Sequence, residues 1–198
     1  MLSEVFIIES LTKQDREDKR LEGELIFRIL KMGGRKPKYH FIETLGQFNE
    51  KIKEFGSSQY RYLHISCHGS PNSFKFYFGS ISFEQFADLF RDNLANRRIF
   101  ISACESVNKD LASLLIPSSM CYSIVGPYEP IRFDDAAMIW ASYYYLVFKN
   151  DQTVMDRKLI LRTLGTLTKL YQININYYSI SRKRGIKLIR FIKGGKKN

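Results

Sequence analysis

Residues 60–70 read YRYLHISCHGS. Tyr62, Leu63 and Ile65 give an apolar, partly β-branched run, and Gly69, Ser70 and the Pro71-Asn72 pair that follows end it, so the segment predicts a buried strand over 60–67 and a turn. Upstream, VFIIES (5–10) and KYHFIET (38–44) are short apolar runs of the same kind. Between them QDREDKRLEGELIFRILKM (14–32) predicts one helix with Leu21, Leu25, Ile29 and Met32 on a common face, ended by Gly33-Gly34. LGQFNEKIKEF predicts a second helix ended by Gly56. Downstream come a hairpin through FKFYFGSIS, a helix over 83–94, the strand RIFISAC (98–104), a helix near 107–115 and the strand CYSIVG (121–126). Two further helices are predicted over 132–148 and 152–172, the second with Ile160, Leu164, Leu167 and Tyr171 along one side. Strands alternating with helices predict an α/β fold, a three-layer α/β/α sandwich with a mainly parallel central sheet, because parallel neighbours need right-handed crossovers. In such sheets the functional site gathers at the carboxyl ends of the strands, which is where His68 and Gly69 fall.

The 198 residues, 44% of them apolar, suffice for one substantial core, and no repeat of 20–50 residues is present. One domain is expected over 1–181, followed by a basic tail over 182–198 that can turn back as a hairpin at Arg184-Gly185. The net charge of +11 sits largely in that tail, which carries eight Lys and Arg and no acid. The body is therefore only modestly basic, and nucleic-acid contact is expected through the tail alone, no reading motif accompanying the charge. No apolar run is long enough to span a bilayer and the N-terminus lacks a signal-type pattern, so no membrane insertion and a cytoplasmic location are expected. Three cysteines without framework spacing fit a reducing compartment.

His64, Cys67 and His68 are competent metal ligands, but strand geometry sends His64 and Cys67 to opposite faces and sets His64 and His68 roughly 13 Å apart. No second ligand pair has suitable spacing, so no metal and no cofactor are expected. Cys67 and Cys121 head or end apolar strands and read as packing thiols, His64 as a core or groove-wall residue, and His40 as structural. His68 and Cys104 differ because each falls where its strand stops. The helix expected after Cys104 would set its N-terminus against the thiol and favour the thiolate. With the two strands adjacent, this pair makes a nucleophile and a base at one sheet edge, and the amides of Gly69 and Cys104 are candidate donors to an oxyanion. Spacing alone leaves this reading level with the alternative of a buried thiol beside an unrelated turn histidine.

A strand ending HISCHGS followed by one ending IFISACES resembles the caspase-like cysteine peptidases of clan CD, and specifically the CHAT branch related to separases. The downstream stretch CYSIVGPYEPIRFDDAAMIWASYYYLVF is similar to that family's next unit, and the likeness covers residues 60–148 best. The resemblance implies a caspase-like fold and a cysteine endopeptidase: His68 as proton shuttle, Cys104 as nucleophile forming a thioester, and Gly69 at the oxyanion. It also implies a protein substrate, a regulatory partner or self-association, and a bacterial setting of defence or regulated cell death. The motif departs from the caspase signature at Ser102, Glu105 and Ser106, so cleavage after aspartate is not implied. Ser102, Glu105, Glu129, Asp134 and Asp135 are the candidate substrate-pocket residues. Two other readings stay open: an inactive interaction module of the same fold, and a basic-tailed nucleic-acid or membrane-surface binder.

Overall fold

Five parallel strands form the centre of the computed structural model, which describes residues 2–91, 93–150, 156–181, 185–193 and 195–197. In chain order the elements are β1 (Leu2–Ser10), α1 (Lys13–Glu17), α2 (Glu22–Met32), β2 (Lys38–Phe41), α3 (Leu45–Ser57), β3 (Tyr60–Gly69), β4 (Ser73–Phe76), β5 (Gly79–Ser82), α4 (Phe83–Leu89) and β6 (Arg98–Ser102). Then come α5 (Lys109–Ser119), β7 (Ser123–Pro127), α6 (Phe133–Asn150), α7 (Arg157–Tyr171), β8 (Ile175–Ser181), β9 (Gly185–Ile192) and β10 (Gly195–Lys197). The main sheet runs β10-β9-β8-β7-β6-β3-β1-β2. The strands from β2 to β7 are parallel; β8, β9 and β10 extend that edge antiparallel, and β4 and β5 form a hairpin against the end of β3. The sequence expectation of a mostly parallel, helix-covered sheet is met.

Alternation along each strand divides the core into two layers. Phe6, Ile8, Leu63, Ile65, Ile99 and Ile101 face α3, α4 and α5, where Phe48, Phe55, Phe86 and Leu111 meet them. Val5, Ile7, Tyr62, Phe100 and Val125 face α2, α6 and α7, against Ile26, Trp140, Tyr143, Tyr144 and Leu164. The parallel strands are apolar on both faces because both are covered. Truncating a fully buried aromatic such as Phe6 or Phe100 to alanine removes about 3–5 kcal/mol. Helix starts are set by capping boxes at Thr44 with Gln47 and at Ser82 with Gln85. Of the consecutive tyrosines, Tyr143 and Tyr144 are core and Tyr145 is exposed, so they make no stacking platform.

One predicted helix is corrected. Residues 14–32 are not continuous: α1 is a five-residue helix closed at Asp18, Lys19 takes a left-handed φ of 57°, and α2 starts afresh at Glu22. The face expected to be buried is offset by one residue: Ile26 and Leu30 go inside, while Leu25 and Met32 are exposed. The charged run DREDKR hid this break, since helix periodicity passes through it unopposed. At the other end, the basic segment expected as a tail supplies β9, which pairs along its length with β8. The expected turn residue Arg184 lies outside the described residues, as do 152–155 of the predicted last helix; Gly185, at the start of β9, has a φ of 68°.

Candidate active site

The carboxyl edge of the sheet brings five separate stretches of chain together. β3 delivers His68 as its penultimate residue, and β6, its parallel neighbour, delivers Cys104 two residues past its end. Gly69 is what lets these ends close: a Cβ built there would lie 2.4 Å from the Cys104 carbonyl oxygen and 2.9 Å from Ala103 Cβ. The glycine is therefore required by the approach of β3 to the Ala103-Cys104 turn.

Cys104 sits in a turn that Glu105 completes with a left-handed φ of 58°. The N-terminus of α5 does not meet the thiol as expected, because Asn108 caps that helix four residues further on. The thiol is held instead by the loop before α6: Ile131 N–H donates to Sγ at 3.4 Å, and Sγ faces the Ile131 carbonyl at 3.5 Å. Cys67 and Cys121 are buried, and burial pushes both thiols up, Cys121 to about 11. Cys104 alone among the three is partly exposed, which separates it chemically from the packing thiols.

His68 is partly exposed, and its Nε2 lies 2.7 Å from Asp15 Oδ2. Phe133 packs edge-on against the imidazole with ring centroids 5.5 Å apart. Asp15 comes from α1 and is buried; its carboxylate also accepts from Thr12 N–H at 3.2 Å and from the Thr12 hydroxyl. Burial alone would raise the Asp15 carboxyl, but its bonds to Thr12 and His68 outweigh this and hold it below the ordinary carboxylate value. Asp15 thus remains an anion at neutral pH. It occupies Nε2, which leaves Nδ1 as the ring nitrogen available for proton transfer. Sequence reading missed Asp15; the Thr12-x-x-Asp15 capping box was the available sign that a helix begins there.

A narrow slot of about 40 Å³ opens beside the thiol, lined by His68, Cys104, Ser66, Ser102, Phe133 and Glu22 among others. Glu22 is 4% exposed. It accepts from the Ser102 hydroxyl at 2.7 Å and lies 3.1 Å from His64 Nε2, whose Nδ1 is 3.0 Å from the Tyr144 hydroxyl. Among the described residues, no Lys or Arg pairs with Glu22. Glu22 and Phe133 also border a larger groove of about 650 Å³ with Arg20, Leu25, Arg132 and Asp134. Of the candidate pocket residues, Ser102 lines the slot and Asp134 the groove, where it pairs with Arg132 at 2.8 Å. Glu105, Glu129 and Asp135 line neither; the Glu129 carboxylate is turned to Asn174 at 2.5 Å. Among the described residues no cluster of side chains suits a metal ion, and no helix is long and apolar enough to cross a membrane.

No family model matches the sequence, and no curated protein does. Solved structures do. The chain is similar to a secreted C11 cysteine protease from Bacteroides thetaiotaomicron, "iotapain", with a TM-score of 0.56 at 11% identity over 90% of this chain and 66% of the other. A second structure of a secreted C11 protease from that organism, in complex with an irreversible peptide inhibitor, gives a TM-score of 0.61 at 7% identity, with the same coverage of each chain. A structure of pro-sf-caspase-1 gives 0.55 at 12% identity, covering 86% of this chain and 80% of that one. The chain thus spans just under two thirds of the C11 proteases it matches. At these identities the likeness speaks to architecture: this α/β chain, with its mostly parallel sheet flanked by helices, has the caspase-like fold.

Proposed function

We propose that the chain is a cysteine endopeptidase that cleaves after a basic residue. The observation that carries the reaction is the meeting, around one slot at the sheet edge, of a partly exposed thiol with a histidine whose Nε2 is tied to a buried carboxylate. In this reading His68 Nδ1 takes the Cys104 proton and the sulfur attacks the scissile carbonyl carbon. The C–N bond then breaks as His68 returns the proton to the leaving amine, and water, deprotonated by His68, hydrolyses the thioester. The Gly69 and Cys104 amides serve as donors to the oxyanion. Asp15 acts on the reaction through His68, fixing ring orientation and stabilising the imidazolium, and is a positioning residue.

Basic preference rests on Glu22. It is a buried carboxylate beside the thiol, its close partners are a hydroxyl and an imidazole, and a carboxylate has capacity for further donors. A substrate Lys or Arg entering between Phe133 and Ser102 would supply the missing cation, the slot widening toward the groove it shares with Glu22. Arg132 at the rim argues less for an acidic side chain, because Asp134 already holds it through two bonds at 3.0 and 2.8 Å. A positional library of fluorogenic peptides tests this: turnover confined to Lys or Arg before the scissile bond, lost in Cys104→Ala, is expected. Turnover that survives Cys104→Ala would sink the catalytic assignment, and a preference for Asp would sink the role of Glu22.

Target choice and activation are assigned, by the resemblance to CHAT peptidases, to a partner or to self-association in a bacterial defence setting. Full activity of a purified monomer without any added factor would count against this. The competing inactive-module reading predicts no turnover with any partner present, and the basic-tail reading predicts loss of function on deleting 182–198 but not in Cys104→Ala.

A further inference from the structure

The opposite edge of the sheet holds charge that the peptidase site does not use. Arg98 opens β6, and the strand pairings align it laterally with Ser123 of β7, Ser179 of β8 and Lys187 of β9. In-register neighbours point to the same face, so this is a continuous Arg-Ser-Ser-Lys row across four strands. A cleft of about 300 Å³ lies over it, lined by Arg98, Arg157 from the first turn of α7, Lys187, Tyr177, Tyr122 and Ser179, with Ile180 at its border.

No carboxylate among the described residues lines this cleft, and none forms an ion pair with Arg98, Arg157 or Lys187. The nearest acid in sequence, Asp156, is spent capping α7 through Leu159 N–H at 2.9 Å. Arg98 is only partly exposed, yet its polar partners are neutral hydroxyls, Ser123 at 3.1 Å and Tyr177 at 3.3 Å, and its Nε is shielded from solvent without an acceptor. Its sequence neighbour shows what a satisfied arginine looks like here: Arg97 donates to the carbonyls of Tyr60, Gly56 and Ser58. Half-buried charge is ordinarily paired, and three cations converging without an acid repel one another unless an anion joins them.

We propose that this cleft binds the phosphate group of a small molecule. Arg98 and Arg157 offer planar guanidinium forks suited to phosphate oxygens, Lys187 a point charge, and the Ser179 hydroxyl a neutral hydrogen bond. The half-exposed ring of Tyr122, with the Arg98 guanidinium 5.6 Å from its centre, gives a base or other flat group a stacking face at the mouth. The volume falls at the lower end of small-ligand clefts, roughly 300–1,000 Å³. The proposal is independent of catalysis and stands or falls separately from it.

The test is calorimetric titration of the full chain with inorganic phosphate, pyrophosphate and AMP at fixed ionic strength, with adenosine as the uncharged control. Saturable 1:1 binding of at least one phosphate compound is expected, unchanged in Cys104→Ala and weakened at least tenfold in Arg157→Gln/Lys187→Gln. Both of those side chains are exposed, so the double variant should fold normally, and Arg98→Gln should give the same loss. AMP binding tighter than phosphate would place a base on Tyr122; equal binding would locate recognition in the phosphate alone. Non-saturable binding that follows only the charge of each anion, binding indifferent to both variants, or stoichiometric binding of duplex DNA that displaces pyrophosphate would each overturn the proposal.

Discussion

Replacing Asp15 with asparagine removes one negative charge 2.7 Å from His68 Nε2 while keeping an oxygen of nearly the same shape. If Asp15 stabilises the imidazolium formed during attack, the variant loses a charge-assisted hydrogen bond, about 1.5–3 kcal/mol, and kcat falls roughly 10- to 150-fold. KM for a short peptide should change little, since Asp15 does not line the slot. The carboxylate also belongs to the capping box of α1, and loss of that cap alone could mimic a catalytic effect. Thr12→Ala separates the two, because it removes the cap hydroxyl and leaves the charge on His68. The assay is steady-state turnover with parallel thermal melts: Asp15→Asn should lose activity out of proportion to stability, and Thr12→Ala should not. Because Asp15 is held below its ordinary value, it is ionised at neutral pH, where the assay compares the two forms. A kcat in Asp15→Asn within twofold of wild type, with an unaltered pH profile, would mean that the Asp15 charge does not support the imidazolium.

Glu22→Gln should lower kcat/KM for substrates with a basic residue at the cleavage site by about 2–4 kcal/mol, roughly 30- to 1,000-fold, while sparing neutral ones; an equal fall for all would show a structural role. Gly69→Ala forces a Cβ into the Cys104 carbonyl and should cost about 1–3 kcal/mol in denaturant unfolding, with loss of thiol reactivity; full stability would mean the β3–β6 ends are not in contact as described. Burial and, less strongly, the Glu22 charge raise Glu9 to about 7, against opposing bonds from Gly23, Tyr39 and Glu24. The neutral acid therefore stabilises the fold below pH 4.5, and that contribution fades as pH rises from 4.5 to about 7, on the order of 3 kcal/mol. Melting curves of Glu9→Gln should lose this part of the pH dependence, becoming relatively more stable at pH 8 than at pH 5; parallel curves for variant and wild type would contradict the assignment.

The core strands and the mainly parallel, helix-covered sheet were legible because buried parallel strands announce themselves as short β-branched runs between helical periods, and β1, β3, β6 and β7 do so. His68 and Cys104 were legible by their position at strand ends. Asp15 and Glu22 were not, since both sit inside a charged stretch that reads as one solvated helix. What makes them buried is a single left-handed residue, Lys19, that breaks the helix and folds each half over the sheet edge. The acids that sequence offered in their place, Glu105, Glu129 and Asp135, stand after the strand ends, where proximity in sequence suggested the slot but the backbone turns them elsewhere. The Arg-Ser-Ser-Lys row was invisible for a different reason: it exists only across strands, in a register no linear motif encodes.

Whether Cys104 and His68 form a working nucleophile and base is read most directly by site-resolved labelling with an electrophilic peptide probe that carries a basic residue at its reactive end. Cys104 should be modified selectively, with Cys67 and Cys121 silent because burial keeps them as thiols, and the rate should fall at least a hundredfold in His68→Ala. Labelling that is equal at all three thiols, or indifferent to His68, would contradict that assignment.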